Sequence, residues 1–176
     1  MALRNIVTVP EPVLRRKAKL VTKFDKDLQT LIDDMIDTMR EAPGVGLAAP
    51  QVDVSEQLIV VEYTEGDDED DEESEDKPPK PKKLYVMVNP EIVKASEEKV
   101  MGVEGCLSIP GIQGEVERFE AIQVKGLNRH GKPQKLKLDG WMARIFQHEI
   151  DHLNGVLFTD LATRLWKFQQ EEEHEL

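Results

Sequence analysis

The sequence predicts an α+β fold: compact and mixed, with largely antiparallel sheets around one central helix. Three observations predict it. Short aliphatic runs at 58–63, 84–90, 120–126 and 135–139 have the length and composition of strands. Two or three stretches carry the three-and-four spacing of amphipathic helices. No strand–helix–strand repetition or internal repeat appears, so a parallel, doubly wound sheet is not indicated. The 176 residues fit a single domain over 1–176, long enough to hide about 70% of the extended chain's surface.

The first helix starts at Asp25, whose carboxylate suits an N-cap. Leu28, Leu31, Ile32, Met35, Ile36 and Met39 form its apolar stripe, with Asp27, Asp33, Asp34 and Asp37 mainly outside it. Pro43-Gly44 ends the element soon after Arg40. Leu58–Tyr63 and Leu84–Pro90 follow as strands, the second leaving its sheet at Pro90. Between them, 65–83 reads as a flexible insertion: nine of residues 65–75 are carboxylates, and lysines and prolines follow. Like charges repel and prolines lack amide donors, so no core can use this stretch. It also lacks the ligand spacing and turn glycine of a calcium loop. Strands at 120–126 and 135–139 flank the turn NRHGKP and make a hairpin. A helix from Asp139-Gly140 to Gly155 buries Trp141, Met142, Ile145, Phe146, Ile150 and Leu153, and a third over 160–173 aligns Leu161, Leu165 and Phe168, with Trp166 nearby.

Against 35 acidic residues stand 23 lysines and arginines, a net charge of −12. This argues against stable nucleic-acid or anionic-membrane binding. One cysteine excludes an internal disulfide framework. No secretory pattern or long apolar run is present, so the expected location is cytoplasmic.

The chemistry gathers on the central helix, which carries His148-Glu149-Ile150-Asp151-His152. Four residues advance a helix by about 6 Å and little more than one turn, so both imidazoles point the same way and can share a divalent metal. Glu149 is displaced around the axis and can exchange protons with water beside the metal. His130, in a polar turn, and His174, in the acidic tail, read as exposed. Cys106, in EGCLSIPG, is the available third ligand and leaves a position for water; a buried structural thiol is the alternative. Gly102, Gly105 and Gly111 allow close backbone approach nearby. GVGLAAPQ at 44–51 lacks dinucleotide-loop spacing and follows a helix. There Gln51 can donate to a developing oxyanion and Gly46 can admit a substrate backbone, although an ordinary tight turn explains both as well. Val45, Leu47, Trp141 and Ile145 flank these groups and are candidates for an apolar slot, or equally for the core.

Together GVGLAAPQ, EGCLS and HEIDH resemble the three motifs of the peptide deformylase family, in the same order and over nearly the whole chain apart from the insertion. The resemblance implies removal of the formyl group from the N-terminal formyl-methionine of nascent chains, releasing formate. It implies Cys106, His148 and His152 as metal ligands, Glu149 as acid/base, and Gln51 with the Leu107 amide at the oxyanion. Gly46 and Gly105 fall along the substrate backbone, and Trp141, Arg144 and Ile145 around the methionine pocket, with the Arg144 guanidinium kept wet. Fe2+ is the metal it implies; Zn2+, Ni2+ and Co2+ suit the same ligands. A monomer working transiently near the ribosome is the implied setting. The remaining readings are a zinc peptidase cutting internal bonds and a non-catalytic metal-stabilised binding protein. The latter would need a fourth protein ligand.

Overall fold

The computed structural model describes residues 2–64 and 82–168. These carry 21 acidic and 21 basic residues, so the whole net charge of −12 lies in the remaining segments and does not describe the surface around the core. The insertion read at 65–83 falls outside the described residues up to 81, and its last residue, Lys83, opens a strand.

Helix α1, Lys26–Glu41, begins where Asp25 accepts the Leu28 amide at 3.0 Å. Its stripe of Leu28, Leu31, Ile32, Met35, Ile36 and Met39 is buried. Asp34 is buried too, satisfied by the Ala2 amide at 2.9 Å and Arg4 Nε at 3.1 Å. One sheet has the order β1-β2-β3-β6-β7, formed by Gly46–Ala48, Leu58–Tyr63, Lys83–Ala95, Ala121–Leu127 and Pro133–Asp139. The other is β4-β5-β8, formed by Lys99–Cys106, Ile109–Phe119 and Arg164–Lys167. Every ladder within both sheets is antiparallel.

Strand β2 explains the layering. Leu58 and Val60 pack toward α1, while Ile59 and Val61 pack toward α2, Gly140–Leu153. Covered on both faces, the strand reads as a continuous apolar run. Helix α2 contributes Met142, Ile145, Phe146, Ile150 and Leu153 to the second core, where Met87, Val124 and Leu138 meet it. The helix thereby stands against the large sheet and close to the end of β4.

Three expectations need correction. Pro90 does not end its strand: β3 continues to Ala95 through a register shift after Val88. Asn89 has φ 52° there, and its side chain bonds both the N–H and the C=O of Val21, anchoring the bulge. The third helix shrinks to α3, Phe158–Leu161, after which β8 pairs with β5. Leu161 and Leu165, meant for a buried stripe, are 45% and 47% exposed, so the ladder wins over the helical spacing. Residues 169–173 of that expected helix lie outside the described ones. Finally, the whole β4–β5 ribbon was not anticipated; its glycines break the alternation that signals a strand. One of them, Gly102, is there because an added Cβ would lie 2.7 Å from Arg144 Cζ.

Candidate metal centre

Helix α2 presents His148 and His152 from successive turns, and β4 ends by delivering Cys106 to them. A register shift between Gly105 and Cys106 makes that delivery, turning Cys106 to face Ile109. One ligand atom from each of Cys106, His148 and His152 lies within 4.8 Å of the others, and Cys106 Sγ is 3.4 Å from His152 Nε2. Bonds of the usual Zn–S and Zn–N lengths separate neighbouring ligand atoms by about 3.3–3.8 Å around one ion, so the set fits a small divalent metal. Glu149 Oε2 is buried with no protein partner, which marks the site as polar and unfinished by protein atoms alone; His152 Nδ1, on the ring edge away from the cluster, is also unpartnered. Among the described residues these three form the metal-competent cluster, and no fourth side chain closes it.

Charge is set from behind. Glu104 Oε1 meets His148 Nδ1 at 2.8 Å, which leaves Nε2 for the cluster. The same carboxylate accepts from Arg118 Nε and Nη2 at 2.9 and 2.8 Å and from Arg144 Nη1 at 2.6 Å. Arg118 also reaches Asp151. Burial opposes ionisation of Glu104, but the Arg118 and His148 hydrogen bonds outweigh it and hold the carboxyl well below its usual range. On His148 burial likewise opposes charge; hydrogen bonds to Cys106 and Glu104 overcome it and raise the pKa to about 10 in the metal-free protein. A bound cation would displace that proton. Burial and the neighbouring His148 charge keep His152 neutral. Burial raises Glu149 to about 7, with His148 pulling the other way, so its proton is exchangeable near neutrality.

A cleft of about 460 Å³ opens over this set. Val45, Gly46, Gln51, Gly105, Leu107, Trp141, Arg144 and Ile145 all line it, together with Cys106, His148 and Glu149. An added Cβ on Gly46 would lie 2.9 Å from Glu149 Cγ, so this close approach requires glycine. Gln51 sits in a 3₁₀ turn, Ala49–Val52, and its Oε1 accepts the Ala48 amide at 3.0 Å. Its NH2 is thereby aimed at Ser108 Oγ, 3.1 Å away, and Cys106 Sγ, 3.6 Å away.

Two of the expected pocket residues behave differently. Leu47 is fully buried among the α1 side chains and does not line the cleft; Gly46 and Leu47 point to opposite sides of β1. Arg144 does line it, but its guanidinium is not wet. The residue is 3% exposed and donates to Glu104, Val116 O and Val100 O. Sequence reasoning missed the roles of Glu104, Arg118 and Asp151. Asp151, half-buried between the two histidines of the helix, was the available signal, since a partly shielded charge there favours a nearby cation.

Similarity to known proteins identifies the family. The family described as polypeptide deformylase matches residues 3–167. A peptide deformylase of Symbiobacterium thermophilum is 50% identical over 99% of this chain and 74% of its own length. One from Natranaerobius thermophilus is 44% identical over 99% and 100%. The crystal structure of peptide deformylase from Thermotoga maritima superposes with a TM-score of 0.80 at 40% identity, covering 92% of this chain and 99% of that one. With its three motifs folded around one metal-competent cluster, the chain belongs to the polypeptide deformylase family.

Proposed function

We propose that this chain hydrolyses the formyl group from N-terminal formyl-methionine, using Cys106, His148 and His152 to hold a divalent metal and Glu149 as the proton carrier. The observation that carries the assignment is a buried carboxyl, Glu149, with one oxygen free of any protein partner, beside a three-donor cluster at an open cleft. When bound, the metal supplies a Lewis acid that polarises the formyl carbonyl and acidifies water.

Glu149 accepts a proton as water adds to the formyl carbon, and returns it to the amine nitrogen as the C–N bond breaks; formate and a free amino terminus result. The Gln51 amide, fixed by Ala48, donates toward the oxygen that gains charge, and the Leu107 amide supports it. Gly46 and Gly105 leave room for an extended backbone, and Val45, Trp141, Arg144 and Ile145 wall the side-chain slot. Here Arg144 acts as a fixed wall rather than a solvated one.

The family resemblance supports ferrous iron as the metal, and the thiolate–imidazole set also accepts zinc, nickel or cobalt. It further supports a cytoplasmic monomer, one domain over 1–176, meeting nascent formyl-methionyl chains transiently near the ribosome. Among the described residues no helix is long and apolar enough to cross a membrane. The test is an anaerobic assay on a formyl-Met tripeptide. Formate and an intact deformylated peptide should appear, vanish on chelation and return with a divalent metal. Internal cleavage of the peptide would instead support the peptidase reading.

A further inference from the structure

The reacting groups reach the cleft from β1, the 3₁₀ turn, the end of β4 and α2. Other lining residues come from the loop after α1, from β5 and from the end of the small sheet's outer strand. Phe168 directly follows β8, the outer strand of the small sheet, and it is half-buried against the cleft. Its place is fixed by backbone: the Phe168 amide donates to Gly111 O at 3.0 Å, continuing the ladder in which Lys167 faces Ile112 and Trp166 faces Gln113. Pro110, Gly111 and Ile112 line the cleft beside it, so this stretch of wall is apolar and carries no titratable group.

That wall lies outside the set that holds the metal and outside the helix positions that flank the first side chain. A cleft of about 460 Å³ is in the range that encloses a whole small ligand, which leaves room for chain beyond methionine. An extended peptide advances about 3.3 Å per residue and alternates its side chains between walls.

We infer that Phe168 is a specificity-determining residue that contacts the substrate beyond its formyl-methionine and favours apolar side chains there. The inference rests on the deformylase reading. Loss of a partly buried aromatic contact is expected to cost about five- to tenfold in binding.

The experiment uses the metal-loaded full chain with formyl-methionyl amide, formyl-Met-Leu-Leu and formyl-Met-Asp-Asp. Wild type should prefer the leucine over the aspartate peptide. Phe168→Ala should raise KM for formyl-Met-Leu-Leu about five- to tenfold with kcat within about twofold, narrowing that preference. Formyl-methionyl amide kinetics should stay unchanged, and Phe168→Leu should restore most of the lost affinity. Equal losses on all three substrates would show that Phe168 acts only through the fold, and no change on formyl-Met-Leu-Leu would show that the wall is not used; either overturns the inference. No formate from any substrate with wild type would overturn the deformylase reading beneath it.

Discussion

Replacing Glu149 with Gln separates the chemistry of this carboxyl from its electrostatic cost. Burial raises its pKa from 4.5 to about 7 in the metal-free protein. The folded state therefore holds the proton more tightly than the unfolded chain. Stability contributed by this group is fully present below pH 4.5 and is lost as pH rises through 7. One pK unit corresponds to about 1.4 kcal/mol, so wild type should lose about 2–3 kcal/mol from this group between pH 5 and pH 8. Glutamine does not titrate. Whatever the amide costs or gains by its own hydrogen bonding is the same at both pH values, so the difference between variant and wild type reports the carboxyl together with its coupling to the His148 charge. Urea denaturation of both metal-free proteins should show E149Q gaining about 2–3 kcal/mol on wild type from pH 5 to pH 8. With metal bound, E149Q should keep its ion and lose about 10²–10⁴ in kcat. A stability difference independent of pH would refute the buried, proton-holding carboxyl. Wild-type turnover in the metal-loaded variant would refute its catalytic role.

Other perturbations test the surroundings. Gly46→Ala forces Glu149 aside, since the added carbon would lie 2.9 Å from its Cγ; kcat should fall about ten- to a hundredfold while thermal stability changes little. Glu104→Gln leaves Arg118 and Arg144 buried without their shared carboxylate and frees His148 Nδ1. It should cost about 3–5 kcal/mol in denaturation and weaken metal affinity about 10–100-fold by competition with a chelator. Leu47→Ala should cost about 2–5 kcal/mol of stability yet leave KM for formyl-Met substrates unchanged, because the side chain faces α1. A KM effect without destabilisation would restore Leu47 to the pocket.

What the sequence disclosed and what it hid follow from how local each signal is. Both long helices were legible because their stripes repeat within one element, and the His148–His152 spacing is a property of that same helix. Cys106 was legible by chemistry, being the one thiol beside an incomplete set. The β4–β5 ribbon was not: Gly102, Gly105, Gly111 and Gly114 interrupt the alternation, and the reasons for Gly102 and Gly114 lie across the fold in Arg144 and β8. Leu47 was misplaced for a related reason. Read as a turn, GVGLAA gives no facing, and only as a strand does it send Gly46 to the cleft and Leu47 to the core. Arg144 looked solvated because its acceptors, on Val100, Glu104 and Val116, are contributed by strands that local pattern did not reveal. Helix propensity near the C-terminus lost to an open edge on β5, which residues 160–168 alone do not announce.

Convergence of Cys106, His148 and His152 on one ion is the claim beneath the whole mechanism, and X-ray absorption on the metal-loaded chain reads it directly. The account predicts one sulfur at about 2.3 Å and two imidazole nitrogens at about 2.0–2.1 Å, with a further light-atom ligand, and loss of the sulfur shell in Cys106→Ser. A coordination shell without sulfur in the wild-type protein would contradict it.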